Sequence, residues 1–320
     1  MVRQMMLGLR AAGAEVCEFN TDLHREALDC DGREYDRGTF GPVWLRWEIL
    51  RPRVESFNPE LIVCNAGGLS FRADDARALR KSIALLGIAL SDPDVFERAT
   101  SRIAQNFDLF LTGAPACIPG YRARGATVDA LPLATNEEFF HPVPSDPQYA
   151  CEVLVIGRAH ADRINPVRRI CGLFDVHIHG EGWEEYGLPS RGTLYAEELL
   201  TALNSAKIAV IFSRTPAGHT IVKVAIFDFI AGGALLATDS IAEIAEYFDL
   251  DRELIAFRNT DELIAKIRFY LANPELARRV RESGRKRVLS EHLWRHAWPR
   301  IIHNIQSLKQ RAACGASAQS

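Results

Sequence analysis

The side chains able to handle a phosphate-bearing ligand gather in the second half of the chain. Lys223 opens a helix-length apolar run that ends at Ala231, Asp228 lies inside that run, and Arg158 and Arg163 follow the apolar segment 151–156. Guanidinium forks and an ammonium group match phosphate oxygens, and the amides of a helix start add positive potential. Arg158, Arg163 and Lys223 are therefore the expected partners of a diphosphate. Asp228, about a turn and a half into the helix, is the expected partner of a ribose hydroxyl. His219, in the small-residue turn Ala217-Gly218-His219-Thr220, could hydrogen-bond a phosphate or a sugar hydroxyl. In the first half, Asp92 stands in Ser91-Asp92-Pro93-Asp94, just past an apolar run. Its carboxylate could take a proton from an acceptor hydroxyl, or it could cap a helix with proline in the first turn. Asn65, Gly67 and Gly68 end another apolar run and share that topological position, so they are expected to line the side that a second substrate would take.

The elements that must hold these groups read as alternating helices and short strands. Apolar runs at 61–64, 88–90, 107–112 and 127–131 alternate with amphipathic segments such as 73–85. The same alternation resumes at 151–156, 176–179 and 208–212, and again at 234–238 after Gly232-Gly233 stops the helix. Such a pattern predicts parallel sheets covered by helices, with ligands beyond the carboxyl ends of the strands. The loops at Gly157-Arg158, 179–182, 213–220 and 238–239 occupy that position. The segment 141–147 carries three prolines and no apolar periodicity, which places a linker there. The expected domains are 1–144 and 145–311, with a small-residue tail over 312–320 expected to be disordered. Residues 2–9 have helical spacing and 14–19 read as a strand, whereas a doubly wound domain normally opens with a strand and a glycine-rich turn. The first strand of the N-terminal domain is thus expected to be missing.

Lys223-Val224-Ala225-Ile226-Phe227-Asp228-Phe229-Ile230-Ala231-Gly232-Gly233, followed by an apolar strand and an acidic turn, resembles the donor segment of two-domain GT-B glycosyltransferases. The likeness is strongest to their spore-maturation-protein-like (CgeB-type) branch. Further matches in the same order are 125–133, the His179-Gly180-Glu181-Gly182-Trp183 turn, and 261–275. Asp228 replaces the usual family glutamate, and Thr220 falls where many relatives carry a second one. The resemblance implies two Rossmann-like domains facing each other across a cleft, with the donor held by the second. It also implies a base platform on the His179-Gly180 backbone and a last helix, 292–308, that crosses back onto the first domain.

Composition narrows the remaining classes. A net charge of −3 argues against a protein built around nucleic-acid phosphates. No apolar run approaches the roughly 20 residues of a membrane helix. The seven cysteines show no zinc-knuckle or redox spacing, so a reducing cytoplasm is the simplest compartment. Asp29-Cys30-Asp31 and Asp92-Pro93-Asp94 match a loose metal-diphosphate pattern too short to assign a metal, and no cofactor is expected beyond a nucleotide-sugar co-substrate. The arginine-rich segment 278–300 reads as a solvated helix face in preference to a peripheral membrane contact. The resemblance implies sugar transfer from a nucleotide diphosphate donor to the hydroxyl of an unidentified small-molecule or glycan acceptor. An epimerase of the same fold and a non-catalytic sugar- or nucleotide-binding relative are the alternatives.

Overall fold

The computed structural model describes residues 2–33, 41–65 and 67–317. The chain forms two compact units. The N-terminal unit comprises residues 9–132 and the chain from Ala297 on; the C-terminal unit comprises Arg3–Gly8 and Leu133–His296. The division thus falls before the proline-rich segment 141–147.

In chain order, α1 (Val2–Ala11) leads to β1 (Leu28–Asp29), β2 (Val43–Leu45), α2 (Trp47–Phe57), β3 (Leu61–Asn65) and β4 (Leu69–Phe71). Then come α3 (Ala73–Leu79), β5 (Ala84–Ala89), β6 (Leu109–Thr112), α4 (Ile118–Ala123) and β7 (Val128–Ala130). β3, β5, β6 and β7 make a parallel four-stranded sheet in that order, and β1, β2 and β4 form a small mixed one. The sheet and its helices close over a core that includes Phe71, Leu85, Phe107, Phe110 and Tyr121. Two expectations shift here. The amphipathic helix stops at Leu79, because Ala84 and Leu85 pair with Leu61 and Ile62 as the start of β5. Residues 14–19 form no strand.

The C-terminal unit is more regular. β8 (Cys151–Ile156), α5 (Ala161–Cys171), β9 (Val176–His179), α6 (Ala196–Ser205) and β10 (Ala206–Ile211) come first. They are followed by α7 (Val224–Ala231), β11 (Leu236–Asp239), β12 (Ile255–Phe257), α8 (Thr260–Ala272) and α9 (Pro274–Glu291). All five strands are parallel, in the order β12-β11-β10-β8-β9. Side chains alternate across the sheet, as a strand requires. Leu154, Ala209, Ile211 and Leu236 join the core that holds α7, while Val153, Val155, Ile208 and Val210 join the other with α5 and α8. Both faces are covered, which explains the near-continuous apolar strands. α10 (Trp294–Ser317) ends the described chain. It continues through the first part of the tail expected to be disordered; residues 318–320 lie outside the described residues.

The arginine-rich segment is largely consumed internally. Arg278 pairs with Glu275 and Glu282, Arg287 with Glu291, and Arg295 with Glu137. Arg281 and Arg285 donate to the carbonyls of Lys207 and Ala231. Among the described residues no helix is long and apolar enough to cross a membrane.

Candidate functional site

In the C-terminal unit the chain winds outward from β8 toward β9 on one side and β10 on the other. The switch point therefore lies between β8 and β10, the place where such sheets bind ligands. The segment after β8 carries Gly157, Arg158 and Arg163; the segment after β10 carries 212–223.

Arg163 and Lys223 converge there. Arg163 Nη2 donates to the carbonyls of Phe212 (3.3 Å) and Arg214 (3.0 Å), and its Nη1 to that of Arg158 (2.9 Å). Lys223 Nζ donates to the same Phe212 and Arg214 carbonyls, at 2.6 and 3.1 Å. Two cations thus share two carbonyls at the end of β10. Arg163 is only 5% exposed, and burial lowers its pKa to about 10. Its guanidinium fastens the two loops together. Lys223 is half-buried at the start of α7 and remains within reach of solvent. Arg158 is exposed, with its guanidinium 2.5 Å from Glu181.

Between Ser213 and Lys223 the chain folds into a tight turn. Thr215 N donates to His219 O (2.7 Å), Gly218 N to Thr215 O (2.9 Å) and His219 N to Thr215 Oγ1 (3.2 Å). His219 and Thr220 are exposed on it. Ser213 N donates to Asp239 at the end of β11, tying the turn to the next strand.

The ends of β8 and β9 are locked backbone to backbone. A Cβ on Gly180, where φ is +141°, would lie 2.2 Å from Gly157 O, so this crossing requires glycine. The buried Trp183 donates its Nε1–H to the same Gly157 oxygen at 2.8 Å. The backbone expected to serve as a base platform is already engaged. Gly180 N donates to Gly192 O, and Gly180 O accepts from Ser190 Oγ (2.6 Å). The His179 ring is buried beside Gly192 O (3.2 Å), and burial lowers its pKa. The Ser190–Gly192 turn carried no sequence signal beyond its own glycine.

The two acidic candidates both lie inside the protein. Asp228 is 9% exposed, and Thr135 Oγ1 donates to it at 2.6 Å. Burial raises its pKa from 3.8 to about 7. The carboxyl expected to face a ribose faces the 135 segment of its own unit. In the N-terminal unit, Asp92 is 2% exposed and accepts from Thr100 Oγ1 (2.7 Å), Thr112 Oγ1 (2.7 Å) and Tyr121 OH (2.5 Å). No regular helix begins at Asp92. Neither an exposed base nor a helix cap, it gathers hydroxyls from three segments.

Asn65 ends β3, and Gly67 lies near Ser91 and Val95. Gly68, at φ +104°, crosses Gly41 so closely that a Cβ would come within 2.5 Å of the Gly41 oxygen.

Residues 158–303 match a family model described as glycosyl transferase-like. No curated protein matches the chain. Among solved structures it is similar to sucrose-phosphate synthase from Thermosynechococcus elongatus, with 16% identity, a TM-score of 0.56, and coverage of 85% of this chain and 77% of that one. It is also similar to a glycosyltransferase from Rickettsia africae (10% identity, TM-score 0.56, 82% and 80% covered). A third is HepE of Anabaena in complex with UDP and glucose (9% identity, TM-score 0.52, 85% and 82% covered). At these identities the likeness is one of fold. The fold is that of GT-B glycosyltransferases, and residues 158–303 form a glycosyltransferase-like region that lies mostly in the C-terminal unit.

Proposed function

We propose that this protein transfers a sugar from a nucleoside diphosphate donor to an acceptor hydroxyl, with the C-terminal unit holding the donor and the N-terminal unit shaping the acceptor site. The observation that carries this reading is the convergence of Lys223 and Arg163 on one pair of carbonyls at the switch point of the C-terminal sheet. It lies within the region that matches the glycosyl transferase-like model, and HepE, a neighbour in fold, was solved with UDP and glucose. Arg163 sets the loops, Lys223 and Arg158 meet the diphosphate, and the Thr215–Thr220 turn places His219 against phosphate or sugar. With Asp92 held by three hydroxyls, rate enhancement comes from positioning and from cationic stabilisation of the leaving diphosphate.

Thermal shift with UDP, GDP, dTDP and ADP tests the reading. One diphosphate raises the melting temperature by linkage, and Lys223→Ala weakens its binding about tenfold, as expected for a lost charge-assisted contact. Undiminished affinity in folded Lys223→Ala and Arg158→Ala would remove the phosphate assignment.

A further inference from the structure

Between Arg158 and Arg163, the segment after β8 carries a histidine that the donor chemistry above leaves unused. His160 stands at the head of α5, where its side chain makes no capping hydrogen bond. The side chain is only 11% exposed, and Nε2 is buried without a hydrogen-bond partner. A buried nitrogen left unmatched destabilises the free fold, so its retention needs a reason.

Its neighbours tie it to the cations of the switch point. The His160 carbonyl accepts from Arg163 N at 2.9 Å. Nδ1 lies 3.9 Å from the Asp162 carboxylate, and Asp162 pairs with Arg214 at 3.3 Å. The Arg214 carbonyl is one of the two that Arg163 and Lys223 share. The charged groups around the ring are thus Asp162 and Arg163 from α5 and Lys223 from the head of α7. Arg214, on the segment after β10, joins them through Asp162.

Burial, reinforced by Arg163 and Lys223, holds the imidazole below its ordinary range, against the pull of Asp162 and the Arg214 backbone. The ring is therefore neutral in the free protein. A diphosphate placed against Lys223 adds negative charge beside these cations and offsets their repulsion of an imidazolium. Proton and diphosphate then favour each other by the same free energy, as linkage requires.

We infer that His160 is a positioning residue of the donor site whose buried ring takes up a proton from solvent as the diphosphate binds, the imidazolium pairing with Asp162. The inference rests on the donor reading above and adds a proton to its binding step. No covalent bond to the ligand forms or breaks; the site gains one positive charge in step with the anion it receives.

The test is calorimetric titration of the full chain with UDP-glucose, GDP-mannose, dTDP-glucose and ADP-glucose in buffers of different ionisation enthalpy, near pH 6.5. Their diphosphates are esterified at both ends and exchange no proton near neutrality, so the buffer-dependent heat counts protons on the protein. The nucleotide sugar that binds takes up about 0.3 protons or more, and its affinity rises about threefold or more from pH 8 to pH 6. His160→Gln still binds it but loses most of the uptake and of the pH dependence, whereas His219→Gln keeps the uptake. If His160→Gln does not fold, Asp162→Asn withdraws the carboxylate beside the ring and lowers the proton count. Binding without uptake in the wild type, uptake that survives His160→Gln, or an unchanged count in Asp162→Asn overturns the inference and leaves the donor site standing. Failure of all four nucleotide sugars to bind defeats the donor reading itself, and the inference with it.

Discussion

Asp92 in the N-terminal unit and Asp228 in the C-terminal unit are both buried carboxyls on segments that follow strands, yet they are held differently. Asp92 receives three hydroxyl donors within 2.7 Å. Asp228 receives Thr135, and burial pushes its pKa to about 7. A buried carboxylate is costly unless hydrogen bonds replace its water. The difference teaches that a buried acid can serve as a fastening where donors converge and as a proton-linked element where they are sparse.

Removing the richer of the two networks should have the larger effect. Asp92→Ala strands three buried hydroxyls at roughly 1–3 kcal/mol each, so a loss on the order of 5 kcal/mol is expected in urea unfolding. A loss under about 1 kcal/mol would mean that the hydroxyls find other partners and that the contrast with Asp228 is false.

The second effect is a pH dependence. Asp228 has a folded pKa raised above its unfolded value, so its favourable contribution is fully present below the unfolded pKa and is lost as pH rises through the folded one. Between about pH 4 and 7 the unfolded chain gives up a proton that the folded chain keeps. Stability should therefore fall across that window by up to roughly 4 kcal/mol and level off above it. Asp228→Asn keeps an acceptor for Thr135 and cannot ionise, so it should lack this slope and exceed the wild type in stability at pH 8. Parallel wild-type and Asn profiles from pH 4 to 8 would show that the carboxyl does not titrate in this way.

The smallest effect sharpens the comparison within the Asp92 network. Tyr121→Phe removes one of three donors without opening a cavity and should cost about 1–2 kcal/mol. Differential scanning calorimetry would register this as a fall of a few degrees. A loss as large as that of Asp92→Ala would assign the network's contribution to Tyr121 alone.

Legibility in the sequence followed how local each interaction is. α7, its stop at Gly232-Gly233 and the strand β11 could be read directly, because a helix-length apolar run ended by paired glycines is a short-range signal. Lys223 could be placed at the head of that helix for the same reason. The partners of Asp92 lie 8, 20 and 29 residues away, and Thr135 lies 93 residues from Asp228. Nothing in Ser91-Asp92-Pro93 tells an N-cap from a buried hub, since both use an acceptor beside a proline. Arg163 likewise reads as a diphosphate partner until three carbonyls from two loops are seen around it.

The Thr215–His219 turn has a thermodynamic consequence. Its Thr215, Gly218 and His219 amides are hydrogen-bonded within the turn itself, so their hydrogen exchange should already be slowed in the free protein. A ligand arriving there meets backbone whose conformational freedom was lost on folding, and little ordering entropy remains to oppose association.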